Sequence, residues 1–136
     1  MTKTEIVKGM YAAFNRGDIS GVVNGLTEDI DWLTPGEGVI PYAGHFHTRA
    51  EVQRFFDGVV ETTDFEPFII EQYIEQGNDV VALGSYKGVA KQTGNPFTSR
   101  WLMLFTFRGD KVSRFEEHFD TAALGSAYAP AMAARR

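Results

Sequence analysis

Apolar positions in the first part of the chain recur at helical spacing. Ile6, Val7, Met10, Tyr11 and Phe14 share one face, and Thr2 with Glu5 stands ahead of them at the spacing of a capping box, which predicts a first helix ending at Gly17. Asp18 is placed to cap a second, shorter helix to about Leu26, after which Ile30 to Leu33 is extended and Pro35-Gly36 breaks the run. Pro35 to His47, with three glycines and two prolines, reads as a long loop. Thr48 and Glu51 repeat the capping-box spacing. Val52, Phe55, Phe56, Val59 and Val60 then fall at i, i+3, i+4, i+7 and i+8, predicting a third helix to about Glu61.

From Phe65 the period changes. Phe68 to Gln76, Val80 to Val89, Phe97 to Phe107 and Lys111 to Phe119 are rich in Phe, Tyr, Val and Ile, and Gly77-Asn78, Thr93-Gly94-Asn95-Pro96 and Gly109-Asp110 separate them. Helices followed by consecutive strands are the α+β pattern, with three N-terminal helices covering one face of a largely antiparallel sheet. One domain is expected over residues 1–124. Residues 125–136, small and Ala-rich around Pro130, read as a tail that is frayed or ordered only against a partner chain.

The last two strands place a carboxylate. Phe97, Trp101, Met103, Phe105 and Phe107 share one parity, and so do Phe115, Glu117 and Phe119. A two-residue loop at Gly109-Asp110 would send these two aromatic sets to opposite faces. A three-residue loop, Arg108 to Asp110, pairs Phe107 with Lys111, Met103 with Phe115 and Trp101 with Glu117, so that both sets face the helices and Glu117 goes in with them. Burial among aromatic rings raises a carboxyl pKa and suits it to moving protons at neutral pH. The plainer alternative is an ion pair with Arg49, Arg54 or Arg100, or a wet pocket edge. On the opposite parity, Leu102 and Leu104 are adjacent outward leucines, for which a homodimer through the outer sheet face is the economical explanation.

Composition narrows the function classes. The chain has 136 residues, 43% hydrophobic and 23% charged, enough for one core. No apolar run approaches the roughly 18 residues of a membrane span, and Thr2 to Phe14 lacks the apolar block of a secretory signal, so a soluble chain with a cytoplasmic default is expected. The absence of cysteine excludes disulfides and thiolate chemistry. A net charge of -5, with no basic cluster beyond Arg135 and Arg136, offers nucleic acid or an anionic membrane no footprint. A small hydrophobic molecule is the expected partner.

Three motifs carry a resemblance. Tyr11-Ala12-Ala13-Phe14-Asn15-Arg16-Gly17-Asp18, then Glu28-Asp29-Ile30-Asp31-Trp32, then Gly109-Asp110-Lys111-Val112 with Phe115-Glu116-Glu117-His118-Phe119-Asp120-Thr121 are similar to the SnoaL-like, ketosteroid isomerase-like branch of the nuclear transport factor 2 superfamily. The resemblance covers nearly the whole chain. It implies a cone, a strongly curved sheet wrapped around the helices in a cystatin-like roll, with an apolar cavity and a sheet-to-sheet dimer. Ketosteroid isomerases use a helix tyrosine, an aspartate before a proline on the first strand and a protonated aspartate on the penultimate strand. Ungapped matching puts Met10, Thr34 and Met103 at those positions, so that triad is absent. The Arg-x-Asp pair of limonene epoxide hydrolases is missing from the middle strands. The last-strand acid of SnoaL-type polyketide cyclases is matched by Glu117 with one methylene more, although Trp101 and Met103 replace polar neighbours.

The expected site is therefore Glu117 as the proton-transfer group. Trp32, Trp101, Met103, Phe56, Tyr42, Phe46, Phe115 and Met10 are expected to hold a ring-shaped ligand. His45, in or beside the long loop with Tyr42, Phe46 and His47, is a second candidate for proton transfer from a lid. His45-x-His47 with Glu37 or His118 is weak evidence for a metal, and none is expected. His118 and Asp120 suit structural roles. No phosphate-binding glycine motif and no serine nucleophile elbow occurs, so no cofactor is expected. The leading reading is a cofactor-independent isomerase, cyclase or hydrolase acting on a hydrophobic cyclic or polyketide-like compound. The alternatives are a non-catalytic ligand carrier and a dimeric interaction module.

Overall fold

The computed structural model describes residues 1–130. Its helices start where the capping residues place them. In α1 (Lys3–Asn15) the Glu5 amide donates to the Thr2 side chain and the Thr2 amide donates back to the Glu5 carboxylate at 2.7 Å, closing the capping box. Gly17 follows with φ +80°, a left-handed turn that lets the chain reverse. Asp18 caps α2 (Ile19–Val23) by accepting from the Gly21 amide. That helix stops short of Leu26, because Leu26 is drawn into the sheet opposite Val112 and fully buried there. α3 (Arg49–Thr62) begins at Thr48 and buries Val52, Phe55, Phe56 and Val59, while Val60 stays exposed.

The strands are β1 (Leu26–Thr34), β2 (Gly44–Phe46), β3 (Thr63–Phe65), β4 (Ile69–Gln76), β5 (Asp79–Ala90), β6 (Pro96–Arg108) and β7 (Lys111–Phe119). They form one curled mixed sheet in the order β2-β1-β7-β6-β5-β3, with β4 pairing β5 beside β3. All pairs are antiparallel except β1 with β7. The α+β architecture is thus the expected one, with two short strands added. The loop after Pro35 is interrupted by β2, which pairs with the end of β1, and α3 runs directly into β3.

The tail differs from expectation. α4 (Thr121–Tyr128) continues across Gly125, and Leu124, Ala127 and Tyr128 are buried within the same chain. Its last carbonyls are satisfied: Gln92 donates to Tyr128 O at 2.9 Å, and Thr93 and Asn95 donate to Ala127 O at 2.5 and 3.2 Å. The expected tail is thus helical and packed within the same chain as far as Tyr128, and its residues 131–136 lie outside the described residues.

The register of the last hairpin also differs. The loop is two residues, Gly109-Asp110, pairing Arg108 with Lys111. Gly109, at φ +62°, occupies the first central position, the glycine place of a type II′ turn. The parity conflict that argued against this turn is resolved by a bulge. Phe107 pairs with Val112 but Thr106 pairs with Arg114, which leaves Ser113 as the extra residue, its hydroxyl donating to Thr106 O at 3.3 Å. Val112 and Phe115 can then both point inward, and Glu117 follows. It lies opposite Met103 rather than Trp101, which faces Phe119. Among the described residues, no helix is long and apolar enough to cross a membrane.

Candidate active site

Between the helices and the concave face of the sheet lies a cavity of about 70 Å³. Its wall is aromatic and thioether: of the residues expected to hold a ligand, Met10, Trp32, Tyr42, Phe56, Met103 and Phe115 line it. Trp32 stacks on Phe115 with ring centroids 3.9 Å apart. Its indole nitrogen is buried with no acceptor among the described residues, an unspent donor in a cavity wall.

Glu117 is the acid in this wall, 6% exposed. β7 runs between β1 and β6, so Glu117 has Met103 abreast on one side and Thr34, one step past the Leu33–Glu116 pair, on the other. Thr34, itself fully buried, donates from Oγ1 to Glu117 Oε2 at 2.7 Å. No ion pair forms with Glu117 among the described residues: Arg49 is occupied by the Leu26 carbonyl, at 2.7 and 2.9 Å, and Arg100 by Glu71 at 2.8 Å. Burial therefore dominates and pushes the Glu117 carboxyl up from 4.5 to about 7; the Thr34 hydrogen bond and, more weakly, His118 oppose it.

Three phenols share the cavity: Tyr11 from α1, Tyr42 from the long loop and Tyr86 from β5. Burial, reinforced by the charge of Glu117, drives each well above the ordinary tyrosine value; for Tyr42, Tyr128 and Tyr86 add to it. They remain neutral donors wherever Glu117 titrates. Tyr11 stacks on Trp101, and its hydroxyl donates to the Met103 sulfur at 3.0 Å, a weak acceptor that an incoming carbonyl oxygen would displace at little cost. Ungapped matching put Met10 at the isomerase tyrosine position, yet the adjacent Tyr11 is the residue that reaches Met103. Neither Tyr11 nor Tyr86 was singled out from the sequence. The available signals were Tyr11 on the apolar face of α1 and Tyr86 on the same parity as Val80 and Ala82.

Three expected site residues lie elsewhere. His45 is on the outer face, bonded to Asp31, because β1 pairs Leu33 with His45 and Trp32 with Phe46 and so alternation turns His45 away from the cavity. It is no lid acid. Phe46 faces inward but packs on Phe55, 5.4 Å between centroids, behind the cavity wall. Trp101 is likewise buried outside the lining, against Tyr11, Tyr86 and Phe68.

Residues 7–115 match the family model for the SnoaL-like domain, and the chain belongs to that family. A crystal structure of an NTF2-like protein from Burkholderia xenovorans is similar at 33% identity and TM-score 0.83, over 93% of this chain and 95% of that one. TerC, crystallised with polyporic acid, is similar at 26% identity and TM-score 0.83, over 93% and 97%. An uncharacterized protein of Mycobacterium tuberculosis is 24% identical over 92% of this chain and 95% of its own length.

The raised Glu117 pKa makes stability depend on pH. Because the folded chain holds this proton more tightly than the unfolded one, its favourable contribution is complete below about pH 4.5 and is lost as pH rises through about 7. The loss amounts to about 3 kcal/mol. Urea unfolding of wild type against Glu117→Gln across pH 4 to 9 should show this fall only in wild type; parallel profiles would contradict the buried, unpaired carboxyl.

Proposed function

We propose that this protein is a cofactor-independent acid/base enzyme, an isomerase, cyclase or hydrolase of a small hydrophobic cyclic or polyketide-like compound, with the cytoplasm as its default setting. The observation that carries the reading is a buried carboxyl in an apolar cavity, with no counter-ion among the described residues, so that burial pushes its pKa up to about 7. Such a group takes and returns protons with little driving force lost in either direction. Thr34 holds Oε2, and no hydrogen bond among the described residues engages Oε1, which is left for substrate. Proton removal next to a carbonyl puts charge on the carbonyl oxygen, and Tyr11, Tyr42 and Tyr86 offer it neutral donors in a mostly apolar lining. Trp32 and Phe115 give a flat ring one wall to lie against. The similarity to TerC, which was co-crystallised with polyporic acid, supports a small organic ligand.

One observation favours a second reading, a non-catalytic carrier. Thr34 and Met103 stand where the resemblance implies aspartates, so Glu117 lacks a partner acid on either neighbouring strand. A panel of cyclic ketones, enones and hydroxyquinones incubated in deuterium oxide separates the two. Catalysis predicts deuterium uptake at carbon next to the carbonyl, read by mass spectrometry and reduced about 10²-fold or more in Glu117→Gln. Equal uptake by the variant overturns the role of Glu117. Ligand-induced stabilisation equal in both proteins, without uptake, favours the carrier.

The outer sheet face is proposed to meet a second copy of the chain. Register places Val81 beside Leu104 and Leu83 beside Leu102 on that face, and Leu102 is 38% exposed. Sedimentation velocity should give a dimer for wild type and a monomer for Leu102→Glu/Leu104→Glu; a monomeric wild type would contradict the interface.

A further inference from the structure

On the face of the sheet turned away from the cavity, Asp31, His45 and His47 converge. β2 pairs antiparallel with β1, and the Leu33–His45 pair brings Asp31 abreast of His47 on the same outer face. One donor atom from each of the three lies within 4.8 Å of the others. His45 Nε2 is bonded to Asp31 Oδ1, and the two imidazole rings pack with centroids 4.4 Å apart. A surface ion pair accounts for His45 and Asp31 but not for His47, whose ring makes no hydrogen bond among the described residues. The backbone around His47 is nonetheless held. Its amide donates to the Glu51 carboxylate at 2.7 Å, and the next residue, Thr48, caps α3.

We propose that Asp31, His45 and His47 form a binding site for a divalent transition-metal ion of the zinc class. Two imidazole nitrogens and one carboxylate oxygen suit zinc, nickel or copper; magnesium and calcium prefer oxygen-rich sets. Donors at about 2.0–2.2 Å from zinc stand roughly 3.3 Å apart in a tetrahedron, so modest side-chain rotation closes the present arrangement. The ion takes the place of the His45–Asp31 hydrogen bond, gives His47 a partner, and leaves one or more positions to water. The sequence offered His45-x-His47 with Glu37 or His118 as companions. The third ligand is instead supplied by the β1–β2 register, which spacing alone does not disclose.

The site ties a three-residue edge strand to β1 at the end of the loop that carries Tyr42 into the cavity. Binding therefore favours the folded chain by mass action and braces the cavity rim without touching Glu117.

The test is zinc chloride titrated into untagged, chelator-treated protein. The chain has three histidines, and His118, bonded to Glu116, serves as an internal control. Imidazole nitrogen NMR of wild type is expected to show saturable shifts at His45 and His47 with His118 unmoved. Calorimetry is expected to give one zinc per chain, weakened more than about tenfold in His45→Gln/His47→Gln and in Asp31→Asn. Zinc should raise the melting temperature of wild type and leave that of the double variant unchanged, and magnesium should do neither. Zinc binding that survives the double substitution, shifts confined to His118, or no saturable binding in wild type would overturn the proposal.

Discussion

The extra residue at Ser113 decides which face of β7 reaches the helices. With a two-residue turn at Gly109-Asp110, simple alternation would bring Glu116 and His118 inward and leave Phe115 and Glu117 in water. The bulge shifts the phase once, so that Val112, Phe115 and Glu117 all lie on the concave side. Everything proposed for the cavity depends on that phase. Among the described residues, Glu117 is the only buried acid.

Its chemistry follows from what β7 has as neighbours. The acids that ketosteroid isomerases carry on the first and penultimate strands are absent here: Thr34 and Met103 stand at the matched positions, and the acid sits on the strand between them. Thr34 gives one hydroxyl, Met103 gives a sulfur that engages Tyr11, and no cation pairs with Glu117 among the described residues. A carboxyl treated this way stays protonated to near neutrality because desolvation outweighs a single hydrogen bond. The same surroundings hold the phenols neutral, which divides the labour: one group that exchanges protons and several that only donate hydrogen bonds.

Much of this was legible in the chain. Capping pairs at Thr2/Glu5 and Thr48/Glu51 locate α1 and α3, and alternation in the last strands sets Glu117 on the aromatic side. The register was not legible, because a bulge has no single-residue signature; a serine between Val112 and Arg114 fits either phase. The three-residue loop accordingly sets Trp101 opposite Glu117, two positions from its partner Phe119. His45 reads as a lid residue because Gly44–Phe46 looks like loop until β1 is beside it, and pairing alone reveals which way each side chain turns. α4 was missed because Ala-rich, weakly amphipathic sequence gives little periodicity; its order comes from Gln92, Thr93 and Asn95 meeting its last carbonyls. The SnoaL-like resemblance rests on several motifs in order and does not depend on these local details.

Proton transfer in the cavity requires Glu117 to change protonation near neutrality, and carbon-detected NMR of its carboxyl followed through a pH series reads this directly. A midpoint near 7 is predicted. A midpoint near the ordinary glutamate value of about 4.3 would mean the carboxylate is solvated or paired, and the proton-transfer reading would fall.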